Sequence, residues 1–134
     1  MRSSLTTQTL LDGVKNCAVK ITGVDVSYTC WVVVVDLDRF KNPRPTRVKI
    51  DHVEWAVTAG LEVLLAWHVQ DGERELVLPL GSRGSMSFSD YGGLSNQGED
   101  RSGNLEIMVQ TLPAYNQTRF EGFSLFIDLI KQER

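Results

Sequence analysis

Apolar and polar residues alternate along most of this chain, the period expected of half-buried β-strands. "NCAVKIT" places Cys17, Val19 and Ile21 on one face. "RVKIDHVEWAVT" alternates Val48 and Ile50, then Val53, Trp55 and Val57. The apolar parity slips by one at Asp51–His52, which predicts a bulge or a strand bending between sheets. "LEVLLAWHV" aligns Leu61, Val63, Leu65, Trp67 and Val69, with Glu62 and His68 facing the other way. "RELVLPL" aligns Leu76, Leu78 and Leu80, and its Pro79 predicts an edge or a strand end. "SMSFS" adds Met86 and Phe88, "NLEIMVQT" adds Leu105, Ile107 and Val109, and "GFSLFIDLIK" adds Phe123, Leu125, Ile127 and Leu129. "SYTCWVVVVD" is an unbroken β-branched run, the pattern of a strand covered on both faces.

The segments between these runs ("NPRP", "TAG", "QDGE", "LGSRG") are turn chemistry, and no segment sustains a helical stripe. Together they predict an all-β domain, an antiparallel β-sandwich of jelly-roll or immunoglobulin-like type with about eight strands, over residues 13–134. Residues 1–12, polar and rich in Thr, read as a flexible N-terminal arm. A hairpin across Ala59-Gly60 would point the rings of both Trp55 and Trp67 into the core, beside Phe88, Ile107, Leu125 and Ile127.

Composition agrees with one compact domain. The 134 residues are 42% hydrophobic and 23% charged, with a formal charge of −3. That balance opposes non-specific nucleic-acid binding, which needs a field of clustered cations. The N-terminus has no apolar core of signal-peptide length, and the longest apolar run, "CWVVVV" at 30–35, is far below membrane-spanning length. A soluble protein made in the cytoplasm is therefore expected, with no membrane partner. Cys17 and Cys30 both fall in apolar strand patterns and read as buried thiols rather than a disulfide framework.

Candidate chemistry is sparse. His52 and His68 are the two histidines, far apart in sequence, neither stands beside a Cys at a zinc-finger or metalloprotease spacing, and no HExxH occurs. "SNQGEDRSGN" offers Asn96, Glu99, Asp100 and Asn104 to a calcium ion, but not in EF-hand order. No GxSxG elbow, P-loop or dinucleotide fingerprint occurs. "NQT" at 116–118 matches a glycosylation acceptor without a secretory signal to make it relevant. The expectation is a protein without enzymatic activity, cofactor or metal. The basic stretch "RFKNPRPTRVK", with Arg39, Lys41, Arg44 and Arg47, reads as a solvated loop or as a docking patch for an acidic partner.

Over residues 48–131 the chain resembles a family of small proteins from tailed bacteriophages. Those proteins pair a tryptophan hairpin with a glycine-rich segment and a closing strand that ends in Lys. The corresponding residues are Trp55, Val57, Leu65 and Trp67, then Gly84, Phe88, Gly92, Gly93 and Leu94, then Gly103, Ile107, Thr111 and Lys131. Asn104-Leu105-Glu106 departs from the acidic-isoleucine pair that follows the glycine in that pattern. The resemblance implies a virion structural protein. Its most specific form is a capsid decoration or cement protein that binds the major capsid protein at the particle surface as a small cyclic homo-oligomer, a trimer by preference. Arg39, Lys41, Arg44, Arg47 and Tyr91 are the candidate contacts. Gly92, Gly93, Leu94 and Gly103 would shape a connecting loop, with Gly92 and Gly93 at the sharp turn and Leu94 pinned to the core. Two other readings stay open. One is a head–tail connector, tail or baseplate component. The other is a carbohydrate-binding module using exposed rings among Tyr28, Trp31, Tyr91 and Tyr115.

Overall fold

The computed structural model describes residues 4–24, 31–41, 45, 47–58, 61–69, 75–88, 93–94, 101–111 and 122–132. These residues form an all-β sandwich of two antiparallel sheets. The strands are β1 (Ser4–Asp12), β2 (Asn16–Val24), β3 (Val32–Val35), β4 (Arg47–Val57) and β5 (Leu61–Val69). They continue with β6 (Glu75–Leu80), β7 (Arg83–Ser87), β8 (Arg101–Thr111) and β9 (Gly122–Gln132). One sheet runs in the order β1-β2-β9-β4-β7 and the other β3-β8-β5-β6.

The two inner faces follow from the period-two patterns. Cys17, Val19, Ile21, Val53, Leu125, Ile127 and Leu129 from the five-stranded sheet meet Val63, Leu65, Trp67, Leu105, Ile107 and Val109 from the other, all buried. Burial of this apolar surface is the main drive to the fold. The bulge expected at Asp51–His52 is present: the register of β4 against β9 shifts between Ile50 and His52. The shift restores Val53 and Val57 to the buried face. Pro79 sits on β6, an outer strand of its sheet, where a missing N–H is tolerated.

Several expectations change. Residues 4–12 form β1, paired with β2 along its length, and not a flexible arm. Strands β4 and β5 lie in different sheets, so they do not pair as the expected hairpin, whose tip, 59–60, lies outside the described residues. Trp67 is 2% exposed, but Trp55 is only half-buried at the sheet periphery. Its ring lies across Gly84, directly opposite on β7, where a Cβ would come within 2.7 Å of Trp55 Cζ2. Its indole N–H donates to the Gly81 carbonyl at 3.0 Å. Phe88 is likewise half-buried, packed against the core just past the end of β7. Met86 and Leu76 are exposed. Leu76 loses its inward position because the β5–β6 register shifts between Leu65 and Ala66, pairing Leu76 with Ala66. The β-branched run ends as a short outer strand, β3, with Val33 exposed, so it is not covered on both faces.

The connection from β7 to β8 carries the chain from one sheet to the other. Gly93 has a φ of 91°, a region that favours glycine, and its N–H donates to the Phe88 carbonyl at 2.8 Å. Leu94 is bridged to Ile50 by two 2.8 Å backbone bonds and packs on the core. Gly103 lies within β8, which begins at Arg101, so it does not mark the strand's entry. Tyr91 and Gly92 lie outside the described residues, as do Arg44 and Cys30.

Candidate functional site

Three features of the sandwich have the chemistry of a site, two of them built by strand register and one by a contiguous run. The first closes one pole. Asp12 ends β1 and Lys131 lies near the end of β9, with β2 between them. Lys131 Nζ donates to Asp12 Oδ1, and the Lys41 N–H donates to Asp12 Oδ2 at 2.9 Å. Only 4% of the Lys131 side chain is exposed, against 24% for Asp12. The ammonium also lies 5.8 Å from the centroid of the buried Phe40 ring, within cation–π range. The Lys131 N–H donates to the Lys15 carbonyl at 2.6 Å. This latch joins β1, β9 and the segment after a 3-10 turn at Leu37–Arg39, whose Asp36 caps the Asp38 N–H at 3.0 Å. The role of Lys131 is structural.

Beside the latch, Cys17 is buried, and burial pushes its thiol up to about 12, with Lys131 pulling down and Asp12 and Asp128 adding to the rise. A thiol held protonated is a poor nucleophile. Cys17 is therefore expected to resist a disulfide reagent such as DTNB in the native protein and to react fully once the chain is unfolded in urea. Fast native reaction at Cys17, mapped by peptide mass spectrometry, would contradict the geometry.

The second feature is the basic stretch. Arg39, Lys41 and Arg47 are exposed. Arg39 lies in the 3-10 turn, Lys41 is anchored by its backbone to Asp12, and Arg47 opens β4. This leaves three cationic side chains at the surface of the latch pole and the adjoining strand.

The third is the outside of the two sheets. On the four-stranded sheet, His68 faces outward as expected but is half-buried, with Nδ1 3.0 Å from Glu106 Oε1. Glu106 is 3% exposed, and among the described residues it joins the Lys131 side chain as a charged group held away from solvent. Asn104, considered above as a calcium ligand, uses its carboxamide oxygen to accept the Leu37 N–H at 3.0 Å. Among the described residues no group of three His, Cys, Asp or Glu side chains is placed to hold a metal ion.

On the five-stranded sheet, His52 Nε2 lies 3.1 Å from Glu54 Oε1, and His52 is the cross-strand partner of Asp128. Burial pushes the Asp128 carboxyl above the usual carboxylate range, with His52 pulling the other way and Asp51 and Glu54 adding to the rise. A native carboxyl with a raised pKa holds its proton more tightly than the unfolded chain does. Stability therefore falls as pH rises from the unfolded value through the native one. Asp128→Asn removes that cost. The variant is expected to melt above the wild type at about pH 7 and to match it below about pH 3.5, where both states of the wild-type chain are protonated. Equal melting temperatures at neutral pH would remove the effect.

Sequence comparison adds no assignment: the chain matches no family model and no curated protein.

The four outer strands differ in how they are protected. A sheet edge exposes unpaired backbone groups, and proteins blunt it with short strands, Pro, charge or bulges. Strand β3 has 4 residues, β6 contains Pro79, and β7 has 5 residues including Arg83 and Gly84. Strand β1 has 9 residues, with neither Pro nor a charged side chain from Ser4 to Leu11. A register shift between Thr9 and Leu11 bends only its far end. Among the described residues no strand pairs with the outer side of β1. Leu10, Leu11 and Val14, beside this edge, are 45%, 50% and 77% exposed.

Proposed function

We propose that this protein is a non-enzymatic structural component of a tailed-bacteriophage particle, a decoration or cement protein that binds the shell of major capsid protein. The open edge of β1 is the observation that carries the reading. A long, uncharged, Thr-rich edge with apolar side chains next to it suits strand-to-strand union with another subunit. The resemblance over residues 48–131 supplies the phage context. The two outer strands of the same sheet, β1 and β7, support a head-to-tail ring, because heterologous contacts close when the rotation between copies is right, and a trimer is the smallest such ring. Arg39, Lys41 and Arg47 stand on other elements and are left for an acidic surface of the shell.

Quantitative peptide mass spectrometry on purified particles tests the placement. A copy number comparable to the main shell protein is expected. A handful of copies would move the protein to the neck, tail or baseplate, and absence from the particle would end the structural reading. Light scattering of the purified protein tests the edge: Thr6→Lys, which adds a charge on the exposed outer face of β1, is expected to reduce the oligomer to monomer without unfolding it. An oligomer unchanged by that substitution would exclude β1 as the contact.

A further inference from the structure

The outer face of the five-stranded sheet is hollow. A depression of about 850 Å3 crosses all five strands on the side away from the core. Strand register shows how it is made. Gln8 on β1 is opposite Lys20 on β2, Lys20 opposite Phe126 on β9, Phe126 opposite Glu54 on β4, and Glu54 opposite Ser85 on β7. These five form one straight row, and each lines the depression. All face outward, since the residues before and after them on β2, β4 and β9 (Val19, Ile21, Val53, Leu125, Ile127) point into the core. At roughly 4.8 Å between strands the row spans about 19 Å.

Its chemistry is ordered along that length. An aromatic ring stands at the centre, with an ammonium on one side and a carboxylate on the other. A carboxamide and a hydroxyl close the two ends. In the neighbouring row the side chains of Ala56 and Ser124 are small, which leaves room above the sheet, and Arg83 adds a fork of donors at the β7 side. Among the described residues no ion pair occupies Lys20 or Arg83. Glu54 Oε1 lies 3.1 Å from His52 Nε2, two residues back on the same strand.

We infer that this hollow is a binding site for a neutral glycan chain, with Phe126 as the platform for a sugar ring and Gln8, Lys20, Glu54 and Ser85 as the groups that address its hydroxyls. The argument is one of complementarity. A neutral polyhydroxyl ligand presents apolar C–H faces to stack on a ring and, at its rim, hydroxyls that both donate and accept. It is served by interspersed donors and acceptors of both signs. A strongly charged ligand is not, because Lys20 and Glu54 oppose each other across Phe126. A span of about 19 Å suits several linked rings rather than one. Of the rings considered from the sequence, Trp31 does not line the depression, and Tyr28, Tyr91 and Tyr115 lie outside the described residues. The inference rests on sheet geometry alone and stands apart from the virion reading.

The test is titration of the isotopically labelled protein with maltohexaose, cellohexaose, chitohexaose and xylohexaose, followed by amide chemical shifts. At least one of these probes is expected to shift Lys20, Glu54, Ser85 and Phe126 selectively, with a dissociation constant between about 10 μM and 1 mM. Phe126→Ser, an exchange on the outer face that leaves the buried face intact, is expected to abolish those shifts while the rest of the spectrum is retained. Lys20→Ala is expected to weaken binding by about tenfold. No selective shift with any of the four probes at 10 times the upper bound would overturn the site. Shifts that persist in Phe126→Ser would overturn it too, as would binding of a charged peptide to this row with no response to the glycans.

Discussion

Replacing Asp12 with Ala is expected to cost the fold about 3–5 kcal/mol, the range found when one partner of a buried ion pair is removed. The exposures of the two side chains, 24% for Asp12 and 4% for Lys131, make the effect asymmetric. Without Asp12, the Lys131 ammonium is left almost fully out of water. Beside it are the Phe40 ring and a Cys17 thiol held protonated by burial, neither of which replaces a carboxylate. Lys131→Met leaves a more exposed carboxylate that still accepts the Lys41 N–H, so its expected cost is smaller, about 1–3 kcal/mol. The double variant Asp12→Ala/Lys131→Met removes both charges and is expected to recover most of the loss of the first, since an apolar replacement of a buried pair is often near neutral. Urea unfolding of the four proteins measures all of this. Equal losses in the two single variants, or losses that add in the double, would contradict the burial of Lys131.

Trp67→Ala carries the other large effect, about 3–5 kcal/mol for a fully enclosed indole. Trp55→Ala is expected to cost about half as much. Its ring is half-buried, and what it loses is part of its packing on the core, contact with Gly84 and one hydrogen bond, to the Gly81 carbonyl. Fluorescence separates the two without unfolding the protein. Acrylamide is expected to quench a larger fraction of the remaining emission in Trp67→Phe, because the ring removed was shielded. Trp55→Phe is expected to remove part of the accessible emission. Comparable stability losses and quenching in the two variants would place both rings at the same depth.

The contrast between these tryptophans shows what a one-dimensional pattern carries. Both have the parity of the buried face, and parity was enough to place Trp67, Ile107, Leu125 and Ile127 in the core. It names a face but not a depth. Trp55 pairs across to a glycine on an outer strand, and only the order of strands in the sheet puts it at the rim. The sequence "TAG" between β4 and β5 carried a similar ambiguity, since a short Gly-containing connection serves a hairpin and a step between sheets equally well. Strand β1 was hidden for another reason. An outer strand with one polar face has little to alternate, and Thr is at home both in strands and in solvated arms.

The latch and the groove were illegible for a stronger reason. Asp12 and Lys131 are 119 residues apart, and no local spacing foretells their meeting. The groove's central row needs four separate registers to be known at once. The bulge between Ile50 and His52 is part of that specification, because a strand without it would turn Glu54 inward. The basic stretch and the glycines at 92–93 were easier to notice, being contiguous. The features that the structure turns into geometry are the ones assembled from distant strands.

Strands β1 and β9 both run antiparallel to β2, which lies between them, so they are parallel to each other. Ser4 and Gly122 therefore stand at one end of the sheet, and Asp12 and Lys131 at the other. Tension applied between the Ser4 end of β1 and the Gln132 end of β9 would run along the strands. The backbone bonds of β1–β2 and β2–β9 would be loaded side by side in shear rather than opened one at a time from a corner. A sandwich threaded in this way is a tie rod, suited to a place where its two ends are pulled apart.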